Sequence, residues 1–386
     1  MESWLTGRVG TSRRNEDQKD GARRSIDGEA IDGEATDDDA MAALTGARRP
    51  RPWHLRRAPR PAETFAALDL GTNNCRLLVA RPDAPGFRVV DAFSRIVRLG
   101  EGVSRCGHLS EPAMARAIEA LRVCADKIRR WHVLRSRAVA TEACRRATNC
   151  SEFVERVRDE TGLELEIIDC QEEARLSFAG CAPLIDPTIP RALMFDIGGG
   201  STEITWLEIA PDGEATVVDV LSLPLGVVTL AEDFGGECVP PECYEAMVDV
   251  VATLIAPFEQ AHGIADRVES GEVQMVGSSG TVTTLAGVHL DLPRYERARV
   301  DGVTLSFEEI DGATRRLAAL DHLRRAAHPC IGRDRADLVL AGCAILEAIC
   351  RQWPVGRLRV ADRGVREGIL LGMIGGRRSG PADAVP

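Results

Sequence analysis

The chain has 386 residues, 44% of them hydrophobic, and a formal net charge of −11 at pH 7. This length accommodates two domains of ordinary size, and the acidic balance argues against broad nucleic-acid binding. No stretch is long and apolar enough to span a membrane, and the N-terminus lacks a basic segment followed by an apolar one, so we expect a cytoplasmic protein that binds no membrane.

Residues 1–61 are predicted to form a separate tail. They contain a tandem IDGEA repeat at Ile26–Ala30 and Ile31–Ala35, an acidic run, and a stretch rich in Arg and Pro. Charged and turn-forming residues without a periodic apolar face cannot bury enough surface to fold. We therefore expect a disordered extension.

The first domain is predicted over residues 62–190. It opens with three β-like runs, TFAALDL, CRLLVARP and FRVVDAFSR. The elements predicted next are a helix over 110–131 capped by Ser110, a strand over 136–141, a helix over 151–161 capped by Ser151, a strand over 164–168 and a helix over 171–180. Three strands followed by alternating helices and strands are typical of one α/β half.

The second domain, residues 191–380, repeats this pattern. Its predicted strands are 192–196, 202–208, 216–221, 272–276 and 357–360, and its predicted helices are 227–234, 241–262, 306–320, 334–353 and 365–374. The repeat predicts an α/β fold of two halves with a cleft between them, in which the last helix could pack back on the first domain.

Each half begins with an apolar run that ends in Asp-x-Gly. The first turn contains Asp69, Gly71, Thr72 and Asn73, and the second contains Asp196, Gly198, Gly199, Gly200 and Ser201, followed by Glu203. Glycine lets backbone N–H groups turn inward and hydroxyls add donors, so each turn can form a concavity for phosphate. A shared Mg²⁺ would relieve the repulsion between the aspartates and such a ligand. Two ordinary glycine hairpins are the alternative interpretation.

The lysines, histidines and cysteines limit the kinds of catalytic site that the chain can form. Lysine occurs only at Lys19 and Lys127, so no P-loop nucleotidase motif is present. The seven histidines are dispersed without HExxH, which disfavours a histidine-built metal hydrolase. The twelve cysteines are scattered without CxxC pairs, and we expect reduced, structural thiols.

Six segments, taken in order, resemble a known family. They are FAALDLGTNNCRLLVA, AVATEACRRATN, EIIDCQEEARLSFAG, FDIGGGSTE, GSSGTVTTLAG and VADRGVREGILLG. Together they closely resemble the exopolyphosphatase and guanosine pentaphosphate phosphohydrolase (Ppx/GppA) family over about residues 64–374. The resemblance implies the duplicated actin-like ATPase fold, which is ribonuclease H-like and which sugar kinases, actin and heat-shock chaperones share.

The resemblance also implies roles for individual residues. Glu173 matches the catalytic glutamate that orients or deprotonates the attacking water, and Asp196 and Glu203 match acidic residues proposed to bind Mg²⁺, with Mn²⁺ as an alternative. Arg145 matches an arginine of the phosphate channel. Phosphate binding is predicted for Asp69, Gly71, Thr72, Asn73, Arg145, Gly198, Gly199, Gly200, Ser201, Ser279, Gly280 and Thr281.

The residues themselves leave simpler roles open. Glu172 and Glu173 could merely favour the positive N-terminus of their helix, and Glu203 could lie on a solvated strand face. Only one of the adjacent Arg145 and Arg146 is expected to reach the cleft. Asn74 stands where many family members have serine, which we expect to tune the phosphate contacts.

Several activities are compatible with this resemblance. Hydrolysis of polyphosphate ends is the first choice and hydrolysis of guanosine pentaphosphate, in the stringent response, is the second. An actin-like ATPase or sugar kinase, and a sensor that binds polyphosphate or alarmone without turnover, are the other candidates. A homodimer is implied by resemblance only. Long members continue into an HD-type helical domain, whereas this sequence ends soon after VADRGVREGILLG, so we expect a short form with doubtful processivity.

Overall fold

The computed structural model describes residues 63–375, so the predicted tail over 1–61 lies outside the described residues. Its strands are β1 (Phe65–Leu70), β2 (Asn74–Asp83), β3 (Gly86–Ile96), β4 (Arg135–Ala140), β5 (Leu165–Ile167), β6 (Arg191–Ile197), β7 (Thr202–Ile209), β8 (Ala215–Leu223), β9 (Val273–Ser279), β10 (Thr304–Ser306) and β11 (Arg357–Ala361). Each predicted strand is therefore present, and β10 was not predicted.

The helices follow the prediction less closely. They are α1 (Val103–Cys106), α2 (Glu111–Arg130), α3 (Glu142–Arg146), α4 (Cys150–Thr161), α5 (Cys170–Cys181), α6 (Val227–Phe234), α7 (Pro241–His262), α8 (Ile264–Glu269), α9 (Gly280–His289), α10 (Arg297–Val300), α11 (Phe307–Ala318), α12 (His322–Ala327), α13 (Val339–Gln352) and α14 (Val365–Gly375). Five short ones, α1, α3, α8, α10 and α12, have at most six residues each and are too short for a periodic apolar pattern.

Two predictions about helix starts were wrong. The helix predicted over 334–353 begins at Val339, because Arg333–Arg335 forms a separate 3₁₀ turn. Asn149, and not Ser151, occupies the cap position of α4, and its amide side chain instead bonds the backbone of Leu109. Ser110 caps α2 as predicted, since its hydroxyl accepts from the backbone N–H of Ala113 at 3.4 Å.

The strands form two mixed sheets with the same core topology. The first sheet has the order β3-β2-β1-β4-β5, and the second has the order β10-β11-β9-β6-β7-β8. In each, an antiparallel three-stranded meander is joined by parallel strands, β4 and β5 or β9 and β11. Strand β10 adds to the second sheet alone. This repeated order is the duplicated actin-like ATPase fold, which is ribonuclease H-like.

Helices α5 and α14 pack closely against each other beside the first sheet. Leu176 of α5 and Ile369 of α14 share an apolar cluster with Phe65 of β1. Glycines permit the close approach, because a Cβ on Gly368 would lie 2.0 Å from the carbonyl oxygen of Leu176. A Cβ on Gly180 would likewise lie 2.2 Å from a backbone oxygen of the other segment. The last helix therefore packs on the first sheet.

The outer strand of the first sheet is tied to α2 through Asp91. Its carboxylate accepts hydrogen bonds from Lys127 Nζ at 2.7 and 2.9 Å and from Trp131 Nε1 at 2.8 Å. Burial opposes ionisation of Asp91, but these donors outweigh it and lower the pKa of Asp91. These hydrogen bonds thus connect β3 to the C-terminal end of α2.

Cysteines behave as the sequence predicts, and all twelve are free thiols. Cys75, Cys124, Cys181 and Cys343 are buried in the apolar clusters. Among residues 63–375, no helix combines the length and the apolar character that crossing a membrane requires.

Candidate active site

The two Asp-x-Gly turns close β-hairpins and meet across one cavity. Gly71 N–H donates to the Asn74 carbonyl at 2.8 Å, and Gly198 N–H donates to the Ser201 carbonyl at 2.9 Å. The turns are so close that a Cβ on Gly199 would lie 3.0 Å from the Asn73 nitrogen. The absence of a side chain at Gly199 thus permits this close approach of the two backbones.

Neighbouring segments hold the first turn from outside the cavity. Gly100 N–H donates to the Thr72 carbonyl and Val97 N–H to the Asn73 carbonyl, both at 2.9 Å. A Cβ on Gly100 would lie 2.3 Å from Thr72 Cγ2, so this loop packs directly on the turn. These contacts fix the carbonyl side of the first turn.

The second turn is held in the same way by the start of α6. Val227 N–H donates to the Gly198 carbonyl at 3.0 Å and Val228 N–H to the Gly199 carbonyl at 2.8 Å. The first backbone amides of a helix have no partner within the helix, and here they bond the turn instead. Both turns are therefore rigidly supported before any ligand binds.

Two buried polar atoms of the first turn lack a partner. Thr72 Oγ1 and Asn73 Oδ1 have no hydrogen bond within the described structure, although each residue is only 5% exposed. Buried polar groups are nearly always satisfied, so an unsatisfied pair that lines a cavity indicates a missing ligand or water. Both atoms belong to residues that the sequence assigned to phosphate binding.

A third segment reaches the cavity at the end of β9. Ser279, Gly280 and Thr281 line it, and helix α9 begins at Gly280. Ser279 Oγ accepts hydrogen bonds from the N–H groups of Thr281 and Val282, each at 3.1 Å. Thr281 N–H is therefore engaged by the protein itself, and the phosphate role predicted for this segment stays a prediction.

Four of the carboxylates that line the cavity were predicted for the site from the sequence. Asp69 is the last residue but one of β1, Asp196 and Glu203 pair directly across β6 and β7, and Glu173 lies in the first turn of α5. Burial raises the pKa of Asp69 and raises that of Asp196 to about 6. Burial and the neighbouring Asp196 raise the pKa of Glu203, whose Oε1 accepts from Ser222 Oγ at 3.1 Å. Glu203 is 3% exposed, so the solvated-face alternative was wrong.

The adjacent glutamates of α5 face different surroundings. Glu172 forms ion pairs with Arg175 at 2.6 Å and Arg137 at 2.9 Å, and these arginines lower its pKa. Glu173 points into the cavity, where burial and the nearby Glu203 raise its pKa well above the ordinary value. Glu173 therefore binds a proton more readily than Glu172 does, which favours Glu173 as the base.

Arg145 supports Glu173 from behind the cavity wall. Its Nη1 lies 2.7 Å from Glu173 Oε2, and its Nη2 lies 2.9 Å from Glu142 Oε2. The residues that line the cavity do not include Arg145. Burial opposes its charge, but both glutamates outweigh burial and raise the pKa of Arg145. The channel role predicted for Arg145 stays a prediction, and Arg146 is a partly exposed neighbour.

Four arginines that line the cavity were not singled out from the sequence, and one of them, Arg363, forms an ion pair. Arg76, Arg335 and Arg366 line the cavity, are partly buried, and form no ion pair with any carboxylate of residues 63–375. Burial lowers the pKa of Arg335 and of Arg366, as expected for poorly compensated cations. Arg76 lies opposite Asp69 in the β1–β2 register, which a hairpin alignment could have revealed. The other two come from distant segments.

The donor set fits a magnesium ion that is shared with a ligand. No three His, Cys, Asp or Glu side chains of the described residues converge to hold a metal ion by themselves. Mg²⁺ commonly takes one or two carboxylates together with water and phosphate oxygens. The partly buried Asp196 and the buried Glu203 supply two carboxylates of this kind at the cavity wall. Their role as metal ligands stays a prediction.

Fold and site together define an actin-like α/β protein whose cavity lies between two sheets and is built from paired glycine turns, carboxylates and arginines. The chain belongs to the Ppx/GppA phosphatase family, whose model matches residues 78–376.

Solved structures agree with this assignment. The Aquifex aeolicus member of the Ppx/GppA family is 28% identical, with a TM-score of 0.67 over 83% of this chain and 100% of that one. An exopolyphosphatase-like protein is also 28% identical, with a TM-score of 0.72 over 82% and 99%. An exopolyphosphatase from Cytophaga hutchinsonii is 23% identical, with a TM-score of 0.73 over 81% and 98%, and it has the same fold.

Proposed function

We propose that the protein is a Mg²⁺-dependent exopolyphosphatase that releases terminal orthophosphate from inorganic polyphosphate. The observation that carries this proposal is the pair of glycine turns that meet at Asn73 and Gly199 beside the unsatisfied Thr72 Oγ1 and Asn73 Oδ1. Backbone amides and hydroxyls arranged in this way suit the oxygens of a phosphoryl group.

The unpaired arginines support a ligand with several negative charges. Arg76, Arg335 and Arg366 line the cavity together with five carboxylates. Because these arginines form no ion pair among residues 63–375, a chain of phosphates would supply close counter-charges to them. Arginine suits this task because its planar fork bonds two phosphate oxygens at once.

We assign deprotonation of the attacking water to Glu173. Its carboxylate faces the cavity, and Arg145 holds it at 2.7 Å. Hydrolysis forms a bond between the water oxygen and the terminal phosphorus and breaks the bridging P–O bond, while Glu173 takes the proton of the water. The bridging oxygen leaves with the shortened chain, and the turn amides and arginines stabilise the charge that develops.

A bound Mg²⁺ would neutralise phosphate charge and polarise the transferred group. Asp196 and Glu203 are the residues that would hold it.

Guanosine pentaphosphate is the second candidate substrate. Ile331, Leu338 and Val339 line the cavity next to Arg335 and form an apolar surface that a nucleobase could contact. The terminal phosphoanhydride is common to both substrates, so the same turns and the same glutamate would serve either one.

The test is phosphate release by the purified protein with Mg²⁺ on short and long polyphosphate, guanosine pentaphosphate and ATP at matched concentrations of terminal phosphate. We expect the highest kcat/KM on polyphosphate. A preference for guanosine pentaphosphate would select the second candidate, and transfer from ATP to an acceptor would overturn both. Release from none of the four would also overturn both and favour a sensor.

Two neighbouring variants test the role of Glu173. Glu173→Gln keeps the shape but removes the base, so we expect kcat to fall by about 10²–10⁴-fold with binding of tripolyphosphate retained. Glu172→Gln alters the adjacent residue, which is paired outside the cavity, and we expect activity within about twofold of wild type. Full activity of Glu173→Gln would refute the proposed role.

A further inference from the structure

One residue of the loop between β3 and α1, Arg98, contacts both the first turn and the segment that precedes α13. Its backbone N–H donates to the Asn73 carbonyl at 3.1 Å, and its carbonyl accepts from Arg116 Nη2 at 3.3 Å. Arg98 adopts φ 47°, in the left-handed region that an arginine rarely occupies. Its main chain is therefore held in an unfavourable conformation by contacts on the side of the first turn.

The side chain of Arg98 crosses to the segment that precedes α13. Its Nη2 donates to Asp337 Oδ1 at 2.9 Å and to the Asp334 carbonyl at 3.1 Å. The Asp337 backbone is in turn packed against the segment that follows α6, because a Cβ on Gly236 would lie 2.0 Å from the Asp337 carbonyl oxygen. Arg98 thus contacts the chain on both sides of Arg335, which lies between the two aspartates in sequence.

Arg335 is the residue whose position these contacts of Arg98 can fix. It lines the cavity, and within residues 63–375 its side chain donates hydrogen bonds only to the carbonyls of Ile331, at 3.1 Å, and Cys330, at 3.4 Å. Its Nη1 lies 3.9 Å from the position of a Cβ on Gly280, at the start of α9. Without a carboxylate partner, Arg335 depends on its backbone for its position.

We propose that Arg98 is a positioning residue that fixes the distance across the cavity between the first turn and Arg335. One residue holds the first turn through its main chain and the Arg335 segment through its side chain. The proposal rests on the proposed function, because it assumes that the cavity binds a chain of phosphates. Arg98 itself does not line the cavity and acts only through Arg335.

The experiment measures kcat and KM for polyphosphate together with tripolyphosphate binding by calorimetry. In Arg98→Ala the main-chain bond to Asn73 remains and only the cross-link is lost. We expect a rise of about tenfold in KM and in the dissociation constant, with kcat within about twofold. The matched control is Arg351→Ala, which removes partly exposed ion pairs with Glu245 and Glu347 and should change neither parameter.

Two further variants separate positioning from general destabilisation. If Arg98 acts through Arg335, Arg98→Ala should add little to the loss already caused by Arg335→Ala. The exchange of charges in Arg98→Asp/Asp337→Arg should restore much of the binding, and aspartate tolerates the left-handed conformation better than arginine does.

The outcomes separate this proposal from the proposed function. The positioning role would be overturned if the losses of binding caused by Arg98→Ala and Arg335→Ala add in the double variant. It would also be overturned if Arg98→Ala leaves KM and the dissociation constant unchanged. Neither result would affect the turnover measured for the wild-type protein. A wild-type protein that binds tripolyphosphate without releasing phosphate would overturn the proposed function alone, and the calorimetric comparison would still decide the role of Arg98. A wild-type protein that neither binds nor cleaves polyphosphate would overturn both.

Discussion

Substitution of Gly226 by alanine should disturb the second turn from behind. Gly226 immediately precedes α6, and a Cβ there would lie 2.5 Å from the carbon and oxygen of the Gly199 carbonyl and 2.6 Å from the Gly198 oxygen. These are backbone atoms, which the next two amides of the chain already bind. Its φ of −136° is accessible to alanine, so the effect comes from contact and not from backbone strain.

The size of the effect follows from the distances. Real Cβ atoms essentially never approach closer than 3.0 Å, so relief from 2.5 Å needs a shift of about 0.5 Å, and relief to an ordinary contact at 3.4 Å needs about 0.9 Å. Overpacking of this kind costs about 1–3 kcal/mol of unfolding free energy. A displacement approaching 1 Å in a group that orients substrate lowers the rate by about 10²-fold.

Urea unfolding and phosphate release would measure the two effects in Gly226→Ala. The control is Gly312→Ala, which lies inside α11 with no atom within 4 Å of the added methyl group. We expect this control to gain about 0.5–1 kcal/mol in stability and to keep its activity. If Gly226→Ala unfolds at the wild-type urea concentration and releases phosphate at the wild-type rate, the tight contact between α6 and the second turn is not real.

Three further outcomes are expected. Gly368→Ala should lose about 1–3 kcal/mol, because its methyl group would meet the α5 backbone at 2.0 Å, and wild-type stability would exclude that close packing. Asp91→Ala should lose about 1–2 kcal/mol at neutral pH. Because folding lowers the pKa of Asp91, this contribution is lost as pH falls through its folded value, and wild type and variant should converge in acid; a constant difference would contradict this. A bulky thiol reagent should label Cys106 and Cys238 first, and mass spectrometry would reveal rapid labelling elsewhere.

Much of the fold could be predicted from the sequence because neighbouring residues specify these helices and turns. The bounds of α6 and α7 matched the prediction at both ends, since apolar periodicity and turn residues specify them directly. The two Asp-x-Gly turns were predicted for the same reason, because a hairpin is made by neighbouring residues. Their repetition also predicted the duplicated fold, and the ordered motifs indicated the family.

The remaining features depend on residues that are distant in sequence. Glu172 and Glu173 are adjacent, and the sequence alone does not show which of them faces the site. The packing of α5 places Glu172 beside Arg137 and Glu173 in the cavity. Arg335 and Arg366 reach the cavity because of the path that the chain takes between the elements of the second sheet. Hydrophobic periodicity in the sequence does not predict that path. The sequence by itself therefore determined the elements and the two turns. Only the tertiary structure decided which charges meet between them, since burial and pairing arise when separate segments pack together.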